Sequence, residues 1–170
     1  MINLYLTGDK IISNEQEAFS LYEKSVFGEK KEGRIEYSNV EALFLVQERK
    51  SFLFLGKKKL SFDELLKRLK KQDKKIEVKL AVYSDLRKRG HIVKSALKFG
   101  AEFRVYEKGS RPGNDHAKWI LYTTKDHELL DWHEFSAKNR VAHSTKKKLL
   151  LAIVDDESDV SYYEVSWFKP

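Results

Sequence analysis

Short apolar blocks alternate with polar ones from the first residue onward. Ile2-Asn3-Leu4-Tyr5-Leu6 and Ile11-Ile12 flank Gly8-Asp9, the pattern of a hairpin. From residue 14 the spacing becomes helical, with Ala18, Leu21 and Tyr22 on one face and Asn14 as the expected cap. Ser38-Asn39-Val40-Glu41 and Ser61-Phe62-Asp63-Glu64 both match the capping box, in which serine and glutamate satisfy each other's free helix-end amides. Val40, Leu43, Phe44 and Leu45 follow the first, and Leu65, Leu66 and Leu69 the second. The lysine-rich run from Lys67 to Lys75 reads as a solvated helix end and linker, with an RNA-binding face as the other reading.

Beyond that run, Leu80, Val82, Tyr83 and Leu86 make an apolar stripe that ends at Gly90, a left-handed helix stop. Phe103 and Val105 then alternate with Arg104 and Tyr106, which places that arginine and tyrosine on the polar face of a strand. Trp119 to Tyr122 is a further strand, residues 134–146 a helix, Leu149 to Val154 a buried strand and Val160 to Phe168 its antiparallel return. The expected fold class is α/β: an α+β accessory domain over residues 1–76, then a mixed-sheet domain over 77–170.

Charge divides the chain differently. Residues 77–148 hold 16 Lys/Arg against 9 Asp/Glu, whereas the last 22 residues hold one lysine against five acids. A basic middle suits a polyanion, and an acidic end suits a protein partner. The absence of cysteine excludes disulfides, thiolate-bound zinc and thiol nucleophiles. No apolar run reaches the roughly 18 residues of a membrane span and no leader pattern precedes Met1-Ile2-Asn3-Leu4, so the expected compartment is the cytoplasm.

Three side chains in the basic segment carry chemistry: Tyr106, His116 beyond the loop Gly109-Ser110-Arg111-Pro112-Gly113, and Lys147. Cleaving RNA without metal needs a base for the 2′-hydroxyl, an acid for the departing 5′-oxygen and a cation for the charge gathering on phosphorus. Histidine suits the acid and lysine the cation. Tyrosine, with a reference pKa of about 10, is the harder base. Cations such as Arg104, Lys108 and Lys147 lower the cost of forming a phenolate. Arg140 and Lys147 lie seven apart, two helical turns, so one helix face is expected to carry both. From Ser136 to Lys148 there are five Lys/Arg and no acid, which leaves those cations without a local partner and favours a phosphate site.

Tyr83-x-Asp85-Leu86-Arg87-x-Arg89-Gly90, then Val93-Lys94-x-x-Leu97-Lys98-Phe99-Gly100-x-x-Phe103-Arg104-x-Tyr106, resembles the archaeal tRNA-splicing endonuclease family. So does Arg140-Val141-Ala142-His143-Ser144-x-x-Lys147-Lys148, followed by an apolar strand, an acidic turn and Tyr162-Tyr163. The resemblance is specific from about residue 79 onward. Before it, Ser38-x-Val40-Glu41-Ala42-Leu43 and Leu60 to Leu65 fit the family's N-terminal domain. It implies a restriction-endonuclease-like C-terminal domain, with Tyr106 as general base, His116 as general acid and Lys147 as transition-state stabiliser. It also implies intron-containing precursor tRNA, cut at bulge-helix-bulge structures to 2′,3′-cyclic phosphate and 5′-hydroxyl ends, with no metal or other cofactor. A bulged base would be clamped by Arg140 and a second flat side chain. Trp167 is the candidate for it, against a plain packing role under the terminal strand. The turn Asp155-Asp156-Glu157-Ser158-Asp159 would dock into a neighbouring subunit, and Tyr163 and Val165 would pack across another interface. The assembly would be a homotetramer, or a heterotetramer with a non-catalytic paralogue.

Two rivals stand beside this reading. A non-catalytic subunit of the same complex would be expected to lack the three reactive side chains. A metal-dependent DNA nuclease needs acid-x-lysine on its catalytic strands, and the matches here, Glu29-Lys30-Lys31 and Asp73-Lys74-Lys75, fall in the first domain and its linker.

Overall fold

The computed structural model describes Met1–Pro170. It divides into two compact units, Met1–Leu80 and Ala81–Pro170. The first is a six-stranded mixed sheet with three helices. Strands β1 (Ile2–Thr7) and β2 (Lys10–Ser13) form the expected hairpin, turning at Gly8 with φ of 63°. Helix α1 (Gln16–Ser25) follows, then β3 (Glu29–Lys31), β4 (Arg34–Tyr37), α2 (Asn39–Gln47), β5 (Ser51–Leu55), β6 (Lys58–Leu60) and α3 (Phe62–Lys70). The strand order is β3-β4-β2-β1-β5-β6, and only β1 and β5 run parallel.

Both capping boxes form. Ser38 and Glu41 exchange bonds at the start of α2, as do Ser61 and Glu64 at the start of α3. Such a cap contributes about 1 kcal/mol to its helix. Glu41 also accepts from the Gly28 amide in the interior, so its carboxylate ties α2 to the loop before β3. Asn14 does not cap α1. The cap position falls to Glu15, whose carboxylate is taken by the backbone amide and side-chain amide of Asn3, so α1 is pinned to β1 instead. The Lys67–Lys75 run covers the end of α3 and the turn before the next helix. There Lys70 pairs with Glu77, and Asp73 pairs with Lys79.

Helix α4 (Ile76–Lys88) is continuous across the expected boundary at residue 76 and leads the chain into the second unit. Strands β7 (Val93–Ser95), β8 (Phe103–Val105), β9 (Trp119–Lys125), β10 (Lys148–Val154) and β11 (Val160–Val165) form a sheet ordered β11-β10-β9-β8-β7. Helix α5 (Trp132–Ser144) is the crossover between β9 and β10, the one parallel pair of this sheet. The two sheets and five helices make a mixed α/β chain, as expected.

Register assigns the faces of the second sheet. Ile120, opposite Arg104 and Leu149, lies on the face whose core includes Ala96, Tyr122 and Ala142 of α5. Leu121, opposite Phe103 and Leu150, lies on the other face, where Phe103 meets Tyr83 of α4. The Tyr162 hydroxyl donates to Asp85 at 2.7 Å, tying β11 to α4, and Asp85 is also paired with Arg89. Burial and that hydrogen bond push the Tyr162 phenol well above its ordinary range. No helix is long and apolar enough to cross a membrane.

Candidate active site

Because β8 and β9 are antiparallel while β9 and β10 are parallel, the end of β8 and the beginnings of β9 and β10 meet at one edge of the sheet. The Lys118 amide donates to the Val105 carbonyl at 3.0 Å, and the Lys148 amide donates to the Lys118 carbonyl at 2.9 Å. Tyr106 follows the first of these segments, His116 sits two residues before Lys118, and Lys147 immediately precedes Lys148. The fold thus gathers the backbone around all three sequence-selected residues at one sheet end. None of the three side chains hydrogen-bonds another; the Lys147 ammonium donates to the Thr145 carbonyl at 3.0 Å.

Tyr106 departs from its expected position on an open polar face. Strand β8 ends at Val105, and Tyr106 is only 4% exposed. Its amide donates to the Ile92 carbonyl, and its own carbonyl accepts from His91 Nδ1 at 2.8 Å. The chain is held at that point by the two residues just before β7, so two-residue alternation alone misjudged its burial. His116 is exposed. Its approach is fixed by Asp115, whose carboxylate accepts the Arg111 amide at 2.8 Å while its own amide donates to the Arg111 carbonyl. The loop is therefore closed on itself just before the histidine.

Lys147 is not on α5, which corrects the seven-residue helical argument. The helix ends at Ser144, Thr145 occupies the C-cap, and Lys146 turns left-handed with φ of 56°. The Lys147 amide then donates back to the Ala142 carbonyl at 2.9 Å. A β-branched cap followed by a left-handed residue throws Lys147 out of the helix and towards the sheet. There its ammonium lies 6.0 Å from the centre of the Phe99 ring. Burial, then the charges of Arg104 and Lys98, hold its pKa below the ordinary lysine value. A cation crowded by cations is poised for an anion, whose arrival relieves the repulsion.

The expectation that the α5–β10 cations have no local partner holds only in part. Lys138 pairs with Glu134 at 2.5 Å and Lys148 with Glu164 at 2.6 Å, the latter an acid supplied across the sheet by β11. Trp119 Nε1 also donates to Glu164, and these two bonds hold its carboxyl below the usual range. Arg140, Lys146 and Lys147 meet no carboxylate. Two open pockets adjoin these residues. One, of about 430 Å³, is lined by Lys118, Lys146, Lys147 and Lys148 with His143 and Trp167 among others. The second, of about 370 Å³, is lined by Ser136, Asn139, Arg140, His143 and Trp167. The structure thus brings Arg140 and Trp167 to one pocket. Strand β11 stops at Val165, and Trp167 is 59% exposed, so it does not pack beneath the terminal strand. The sequence places His143 three residues from Arg140 and four from Lys147 but assigns it no role; in the structure it lines both pockets.

At the opposite end of the sheet the acidic turn is internally braced. Asp155 Oδ1 accepts the amides of Glu157 and Asp159 at 2.9 Å, while Asp156, Glu157 and Asp159 are exposed. Val165 packs against its own unit's core, whereas Tyr163 on the edge strand β11 is exposed. Asp126, His127 and Asp156 bring one potential metal-ligand atom each within 4.8 Å of one another, all exposed. That grouping lies at the far end of β9, about 20 Å along the strand from Trp119. The acid-x-lysine segments lie in β3 and in the turn before α4, outside the second unit.

Comparison with known proteins agrees with this architecture. A family model described as the tRNA intron endonuclease catalytic C-terminal domain matches residues 76–162, and one for the N-terminal domain of the same enzyme matches residues 2–66. The chain is 41% identical over 170 residues to the tRNA-splicing endonuclease of Thermococcus kodakarensis, covering 99% of each chain. It is 36% identical over 165 residues to that of Methanothermobacter thermautotrophicus, covering 96% of each. To that of Nanoarchaeum equitans it is 43% identical over 137 residues, covering 77% of this chain and 88% of the relative. With both domains matched and full-length relatives at this identity, the chain belongs to the tRNA-splicing endonuclease family.

Proposed function

We propose that this protein is an endoribonuclease that excises introns from precursor tRNA by cutting bulge-helix-bulge structures at both splice sites. Tyr106 takes the 2′-hydroxyl proton, O2′ attacks the adjacent phosphorus, and the departing 5′-oxygen takes a proton from His116. The products are a 2′,3′-cyclic phosphate and a 5′-hydroxyl end, with Tyr106 left protonated and His116 neutral. Proton exchange with solvent resets both. Lys147 faces the charge that gathers on the phosphoryl oxygens. The observation that carries this reading is the meeting of the β8 end with the starts of β9 and β10, in a chain of this family. Arg104, one residue before the end of β8, lies on the same sheet face as Ile120 and Leu149.

Arg140 and Trp167 clamp a bulged base in the pocket they share, since guanidinium and indole planes both stack on flipped-out bases. The open edge of β11, with Tyr163 exposed, and the braced acidic turn support self-association into a tetramer, either of one chain or with a non-catalytic paralogue. The proposed chemistry uses only the side chains of Tyr106, His116 and Lys147; the Asp126, His127 and Asp156 grouping lies a sheet length away from them.

The test incubates the purified protein with a bulge-helix-bulge RNA in EDTA. Cleavage at both bulges, with cyclic-phosphate ends, is expected. Activity lost in EDTA and restored by magnesium would overturn the metal-free mechanism. Cleavage only after a second subunit is added would replace the homotetramer by the mixed assembly.

A further inference from the structure

We propose that His143 is a positioning residue for substrate recognition: it fixes Trp167 as the flat platform on which the bulged RNA base stacks. The inference rests on the reading that Arg140 and Trp167 clamp such a base.

Trp167 lies two residues beyond the end of β11, on a terminal segment outside any helix or strand. Its neighbours Ser166 and Phe168 are both exposed. A ring on such a segment needs something to hold its plane if it is to meet a base without first paying ordering entropy. His143 supplies it. The two ring centres are 4.3 Å apart with planes inclined by 53°, an aromatic contact reaching from α5 to the terminal segment.

The helix places this contact where a nucleotide would need it. Ser136, Asn139, Arg140 and His143 follow the i, i+3, i+4, i+7 spacing of one stripe, and that stripe with Trp167 lines the second pocket. His143, Asn139 and Trp167 also line the first pocket, where Lys146 and Lys147 meet no carboxylate. One pocket therefore offers a guanidinium and an indole, the chemistry of base stacking. The adjoining one offers ammonium groups, the chemistry of phosphate binding. His143 stands at their common wall. It is exposed on a helix, so replacing it disturbs no core.

The experiment compares His143→Ala, His143→Phe and Trp167→Ala for binding to a bulge-containing RNA and to a fully paired duplex of the same length. Cleavage is followed at low and at saturating RNA. For His143→Ala, affinity for the bulged RNA falls about tenfold while duplex binding stays within about twofold, because the lost contact serves a flipped-out base. KM rises accordingly, kcat at saturation is retained, and His143→Phe restores binding by returning a ring to the stack. Three results would overturn the proposal: unchanged bulge affinity in His143→Ala while Trp167→Ala loses it, equal losses on both RNAs, or no rescue by phenylalanine. If Trp167→Ala also binds normally, the base clamp itself fails, which separates that reading from this one.

Discussion

The two ends of the second sheet share the same three neighbouring strands, β9, β10 and β11, and carry opposite charge. Where β9 and β10 begin, the chain places Lys118, Lys146, Lys147 and Lys148. Where they end, it places Asp126, Asp155, Asp156, Glu157 and Asp159. Open α/β sheets commonly bind ligands beyond the carboxyl ends of their parallel strands. Here the proposed RNA site occupies the amino ends, because the cations are there and the carboxyl ends are acidic. The difference teaches that a sheet's polarity does not choose its binding end by itself; the side chains delivered by the loops decide.

The sharpest way to break this comparison is to disable the basic end's chemistry alone. His116→Ala and Lys147→Ala are each expected to lower the single-turnover cleavage rate by about 10² to 10⁴-fold. His116 is exposed and Lys147 half-buried, so circular dichroism should show the fold intact. An RNA leaving group that needs no proton should restore part of the His116→Ala rate and none of the Lys147→Ala rate. Full activity in His116→Ala would remove it as the acid.

The acidic end is expected to act on assembly rather than on the bond being cut. Asp155 must be spared in that test, because its carboxylate braces the turn through two backbone amides. Asp156→Asn, Glu157→Gln and Asp159→Asn together keep the turn and remove its exposed charge. Light scattering should then show a smaller particle at a protein concentration where the parent is fully assembled. An unchanged mass would detach the acidic end from oligomerisation.

A smaller effect lies in stability against pH. The Lys147 pKa is lowered by burial first and by Arg104 and Lys98 next. Below its folded pKa the crowded charge opposes folding. Between that value and the ordinary lysine pKa of 10.5 the unfolded chain binds more protons, so stability rises with pH through that window. Lys147→Met should melt about 1–3 °C above the parent at pH 7, a difference that shrinks as pH approaches 10. A variant melting at or below the parent at pH 7 would show that the lysine is not under strain.

Most of the element plan was readable from local rules. The capping boxes at Ser38 and Ser61 named their helices because that exchange of bonds involves residues three apart and nothing else. Tyr106, His116, Lys147 and Arg140 were singled out through motif resemblance, and the sheet explains how the segments that carry the first three come to one edge. What failed were statements that needed tertiary partners. Asn14 lost its cap role because Glu15 was claimed by Asn3, twelve residues away. Lys148 proved neutralised by Glu164, a partner sixteen residues on that only strand pairing supplies. Lys147 left the helix because Lys146 adopts a left-handed turn, which residue type does not announce. The stacking of His143 on Trp167 likewise depends on where a terminal segment crosses a helix.

The crossover helix adds a consequence of its own. Since β9 and β10 are parallel, α5 must run back from the acidic end to the basic one. Its peptide dipoles then sum to roughly half a positive charge near Asp131 and half a negative charge near Thr145. Asp131 caps the helix and Glu134 lies in its first turn, and the Lys147 ammonium meets the field of the last carbonyls by donating to Thr145. Each end of the sheet is therefore faced by a helix terminus of the opposite sign. A single backbone element thus adds a favourable field for carboxylates at one pole and for ammonium groups at the other, beside side-chain pairs such as Lys138 with Glu134 and Lys148 with Glu164.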